Sequence, residues 1–171
     1  DQMYTYLLDT YKENDLVYDT YAKRKLESQM AYHGNFKPYF ENIADSLKRY
    51  SSQRDKQKGE AFVHGFTLAM TSQNQFYRPI SELDNDGGYA DIFLAPLCDS
   101  YKDMKDSYII ELKYCKSNST DEQLKQLFAE ASAQISRYAD SDLVRELVKT
   151  TQLHKLVVIY QGAEMATCEE V

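Results

Sequence analysis

Three charged residues sit where charge is costly. Glu111, Leu112 and Lys113 lie inside the apolar run from Tyr108 to Tyr114. Side chains alternate along a strand, so Glu111 and Lys113 emerge on one face and Leu112 on the other. Asp91, between Ala90 and Ile92, is an acid in a second apolar run. Burying such groups is unfavourable unless something compensates them. If the two runs pair as a hairpin, Asp91 and Glu111 converge. Two carboxylates, with a backbone carbonyl such as that of Leu112, are what a hard cation such as Mg²⁺ or Mn²⁺ requires. The ion would acidify a water and polarise a phosphate, while Lys113 would orient the water or neutralise charge growing on the phosphate. The chemistry is metal-assisted phosphodiester hydrolysis. The competing reading is a buried ion pair of an acid with Lys113 and nothing more.

The surrounding pattern must supply the strands and their cover. Apolar and aromatic residues recur at helical spacing from Gln2 to about Tyr50, with Gly34 and Pro38 marking a turn near His33 to Lys37. A further helix is expected from near Asp55 through Met70, because Ala61, Phe62, Phe66, Ala69 and Met70 form one stripe. Phe76 to Leu83 reads as a strand in which Pro79 demands an edge or a bulge. Asn85 to Gly88 supplies a tight turn into a second strand, Tyr89 to Leu94, and Tyr108 to Tyr114 is the third. A helix over Asp121 to Tyr138, a short helix over Asp142 to Thr150 and a doubly covered strand over Lys155 to Tyr160 follow. Ala163 to Val171 adds one more strand. The order predicts an α/β fold, a mixed sheet flanked by helices with a helical region in front.

Composition narrows the setting. With 171 residues, 43% hydrophobic and 27% charged, the chain has material for one principal core. No apolar run approaches the roughly 18 residues of a membrane helix, and the first residues lack the marks of a signal peptide. They also lack an initiating Met, so a piece of a longer protein is expected. Cys98, Cys115 and Cys168 are odd in number and share no CxxC spacing, which argues against a disulfide framework and a cysteine zinc site and points to a reducing cytoplasm. The net charge of −7 runs against nucleic-acid binding until its distribution is considered. The first 60 residues hold ten basic and ten acidic side chains, leaving ten basic against seventeen acidic in 61–171. Lys48, Arg49, Arg54, Lys56 and Lys58 face only Asp55 and form a local surplus, either a guide for a phosphate backbone or a solvated helix face.

The string Gly88-Tyr89-Ala90-Asp91-Ile92, then Tyr108-Ile109-Ile110-Glu111-Leu112-Lys113-Tyr114, then Gln134-Ile135 with Tyr138, resembles the PD-(D/E)XK nuclease superfamily. Within it the chain is similar to nuclease-like C-terminal domains of bacterial predicted AAA-ATPase proteins, which also show segments like Ser51 to Asp55 and Gly59 to Phe62. The resemblance spans roughly Ala31 to Val171. It implies a restriction-endonuclease-like core of order αβββαβ over 54–171, with 1–53 as a helical region belonging to or linking from an upstream ATPase domain. It implies Asp91, Glu111 and Lys113 as the catalytic trio, with Gln134 as a polar residue facing the site. The implied metal shell is Glu60, Asp91, Glu111 and the carbonyl of Leu112, holding Mg²⁺ or Mn²⁺. The implied partner is nucleic acid, DNA first. Ala90 stands where the motif name has Pro, a position that supplies no ligand. There is no GxxxxGK[ST] sequence, so an ATP-binding part would lie upstream.

The helix residues have ordinary explanations too. Glu60 begins a helix, where an acid is favoured by the macrodipole. Gln134 lies beside the buried stripe and needs a partner, which a ligand, Lys113 or a backbone carbonyl would supply. His64 is more simply a satisfied core histidine than a group that reaches the ion from one turn after Glu60. Glu82 is a reserve acid near the site; turn chemistry accounts for Asp84 and Asp86. Two other functions compete with a nuclease: a binding or regulatory module that keeps the fold without turnover, and a Tyr-rich oligomerisation arm at Gln2 to Tyr50.

Overall fold

The computed structural model describes the backbone of residues 20–51, 59–83 and 89–171, and side chains over 21–49, 59–81 and 92–171. The expected helix before residue 20, the basic residues Arg54, Lys56 and Lys58, the turn at Asn85 to Gly88 and the side chains of Glu82 and Asp91 lie outside these described residues. Two helices open the described chain, α1 (Thr20–His33) and α2 (Lys37–Ser51). They are separated at Gly34, whose φ of 65° a helix cannot continue through. Helix α3 (Glu60–Thr71) starts at Gly59 as its N-cap, later than the apolar stripe alone predicts.

Five strands follow: β1 (Tyr77–Leu83), β2 (Tyr89–Pro96), β3 (Asp106–Cys115), β4 (Gln152–Gln161) and β5 (Glu164–Glu170). They form one sheet in the order β1-β2-β3-β4-β5. Strands β1 to β3 are an antiparallel meander, β3 and β4 are parallel, and β5 returns antiparallel to β4. Pro79 sits in the edge strand β1, which also carries an irregularity between Ser81 and Leu83, so both devices that tolerate a strand proline are present.

The parallel step from β3 to β4 is made by α4 (Asp121–Ala139) and α5 (Asp142–Leu147). Thr120 and Gln123 close a capping box at the head of α4, each side chain bonding the other's backbone N–H. Helix α5 stops earlier than its sequence pattern predicts: Lys149 takes φ of 55°, a left-handed conformation that ends a helix.

Alternation sorts the strand residues into two layers. On one face Ile92, Leu94, Tyr108, Ile110, Leu112, Leu156 and Val158 pack against Met30, Phe40, Ile43 and Leu47 of α1 and α2, and Val63, Phe66 and Met70 of α3. On the other face Phe93, Ala95 and Ile109 meet Ile135 of α4 and Val144 of α5. Val157 and Ile159 meet Ala131, with Leu124, Leu127 and Phe128 alongside. The result is the expected mixed sheet flanked by helices.

Candidate active site

Within the second layer the apolar pattern of β3 breaks at Glu111 and Lys113. Their neighbours on β4 are Val157 and Ile159, which offer no charge. Lys113 instead folds back along its own strand, and its Nζ lies 2.6 Å from Glu111 Oε1, with the two side chains 19% and 5% exposed. That distance is a charge-assisted hydrogen bond in a partly dry setting.

On the other side of β3 stands β2. The antiparallel register pairs Leu94 with Tyr108, Phe93 with Ile109 and Ile92 with Ile110. Asp91 lies in β2 one residue before Ile92, on the strand beside the one that carries Glu111. Leu112 presents its side chain to the opposite, α1–α3 layer, so that only its main chain is offered to the Glu111 side.

Helix α4 covers this face, and its flanks can be told apart. Lys155 Nζ donates to Ser136 Oγ at 3.5 Å, which marks the flank toward β4. Gln134 lies about 200° from Ser136 at 3.6 residues per turn, on another flank of α4, one residue before Ile135, which packs with Phe93 and Ile109. Gln134 Oε1 is buried without a hydrogen-bond partner among the described residues. An orphaned amide oxygen there is costly unless a cation or donor completes it.

The remaining candidates fall elsewhere. Glu60 is exposed in the first turn of α3, a helix whose buried side lies on the other layer, and no described contact joins it to Glu111. His64 is 6% exposed and hydrogen-bonds Ser81 Oγ at 3.3 Å, the arrangement of a core histidine with its polar atom satisfied.

A family model of the PD-(D/E)XK nuclease superfamily matches residues 58–170. The chain belongs to that superfamily. No curated protein sequence matches it. The matched PD-(D/E)XK segment starts just ahead of α3 and ends with β5, so α1 and α2 precede it while sharing its core. Nucleases of this superfamily act on nucleic acid and generally use divalent metal ions. Among the described residues no three His, Cys, Asp or Glu side chains cluster as a metal site. Glu111 is a buried carboxylate and Gln134 Oε1 an unpartnered amide oxygen, each of the oxygen type that a hard cation takes. No helix of the described residues is long and apolar enough to cross a membrane.

One charged cluster went unread in the sequence. His154 at the start of β4 lies between two carboxylates, Nε2 2.7 Å from Asp106 Oδ1 and Nδ1 2.7 Å from Glu170 Oε1. Its ring stacks on Tyr108 with centroids 5.1 Å apart. Burial works against the imidazolium, but the two hydrogen bonds and two negative charges outweigh it and raise the His154 pKa above its ordinary value. Asp106 and His154 are 48 residues apart, and only the parallel β3–β4 pairing joins them; an acid and a histidine opening two strands around a crossover helix was the available signal.

Proposed function

We propose that this chain is a divalent-metal-dependent nuclease that hydrolyses phosphodiester bonds of DNA. In this reading Asp91 and Glu111 hold Mg²⁺ or Mn²⁺, with the Leu112 carbonyl and Gln134 Oε1 as neutral oxygens. The observation that carries it is a nearly sealed carboxylate, Glu111, in ion-pair contact with Lys113 on the strand next to β2. When bound, the ion supplies Lewis-acid activation of the phosphate and of a water. Lys113 leaves Glu111 to neutralise negative charge growing on the phosphate oxygens. Gln134 orients the water or the ion's shell from α4. Glu60 is a supplementary acid at most, since its helix belongs to the other layer. The chain's place in a larger protein, behind an AAA-type ATPase domain, is part of the same proposal and rests on the resemblance of 51–62.

Cleavage of plasmid and single-stranded DNA with Mn²⁺ tests this reading. Glu111→Ala should abolish cleavage and Lys113→Ala should lower it by about 100-fold or more, the loss of one preorganised charge at the transition state. Equal cleavage by wild type and both variants would refute it.

A second reading is a binding or regulatory module of the ATPase that keeps the nuclease fold without turnover. It is favoured by the excess of seventeen acidic over ten basic residues in 61–171, which repels a polyanion. A folded protein that neither binds nor cleaves DNA under any divalent ion would support it.

A further inference from the structure

Resting on the metal-site reading above, we propose that Lys113 is an internal competitor for the divalent ion, occupying Glu111 until metal displaces it. Residues two apart on one strand face are separated by more than 6 Å of backbone, so an ammonium 2.6 Å from Glu111 Oε1 has been drawn back onto its neighbour rather than extended toward substrate. The apolar Val157 and Ile159 on β4 give it no alternative anion on that side. A hard cation binds carboxylate oxygens at about 2.0–2.2 Å. An ion that close to Glu111 Oε1 and an ammonium at 2.6 Å from the same atom repel each other strongly in a site this dry. Metal entry therefore costs the ion pair, and the released ammonium becomes available to a phosphate at the moment the metal is in place. The lysine thus lowers the resting affinity for metal and couples its own positioning to metal loading, and the coupling is reciprocal.

Calorimetry with Mn²⁺ alone reads this directly. Lys113→Met, of similar length but uncharged, should bind Mn²⁺ roughly tenfold more tightly than wild type, within the range of ordinary site–site coupling, although its cleavage of DNA is lowered. Glu111→Gln should bind weakly or not at all. Because Lys113→Met leaves Glu111 without its ion pair and risks misfolding, a second measurement uses wild-type protein. The lysine ammonium NMR signal assigned to Lys113 should shift on Mg²⁺ saturation and stay put on adding the same ion to Glu111→Gln. Equal Mn²⁺ affinity of folded wild type and Lys113→Met, or a Lys113 signal indifferent to Mg²⁺ in a protein that binds it, overturns the competition while leaving the metal site intact. Absence of Mn²⁺ binding in both folded proteins overturns the metal site itself and the competition with it.

Discussion

A carboxylate on an apolar strand face is stable only with a counter-charge, and Glu111 has one in Lys113 at 2.6 Å. Their shared strand face was legible from alternation alone. The ion pair that competed with a metal site in the sequence is present, and an ion at Glu111 would have to replace the ammonium. His154 is the opposite case. Its two carboxylate partners come from different strands, and no local pattern announces them. A histidine whose pKa is raised by folding contributes stability that is full below the unfolded value of about 6.5 and fades as pH rises through the higher folded value. Thermal denaturation should therefore show the wild type losing its advantage over His154→Asn as pH rises above about 6.5. A gap between the two proteins that stays constant over that range would show that the buried imidazolium is not titrating as described.

Among the elements, those with strong periodicity were the readable ones. The stripe Leu124, Leu127, Phe128, Ala131 and Ile135 predicts α4, and these residues meet the sheet. The hydrophobic β3 and β4 were equally plain because both faces are covered. Boundaries were less so: α3 begins at its Gly59 cap, and α5 ends before Lys149 for backbone reasons that side-chain periodicity does not encode. Helix α4 carries Gln134, a residue that the proposed function uses. Its anchor is the Thr120–Gln123 capping box, with Gln123 N–H donating to Thr120 Oγ1 at 3.3 Å and Thr120 N–H donating to Gln123 Oε1 at 2.8 Å. Thr120→Ala should lower unfolding stability by about 1 kcal/mol, measured by urea denaturation. A variant as stable as wild type would mean the cap does not hold the helix.

At the scale of the molecule, the two layers divide the labour. The α1–α3 layer is the larger apolar core, and the α4–α5 layer is the side on which Glu111 and Lys113 interrupt the apolar pattern of β3. In the helical region before residue 54, Met30, Phe40, Ile43 and Leu47 share the core of Ile110 and Leu156, contacts that span too much chain for pattern reasoning to find. Superfamily membership fits this plan, and the match over residues 58–170 covers the sheet and the helices that cross it. Diffraction at the manganese edge from a crystal soaked in Mn²⁺ is the most direct test of the metal site. The account predicts an anomalous peak between the carboxylates of Asp91 and Glu111, with Lys113 Nζ moved off Glu111. A soaked crystal with no peak there, or with the Asp91 carboxylate turned away from Glu111, would contradict it.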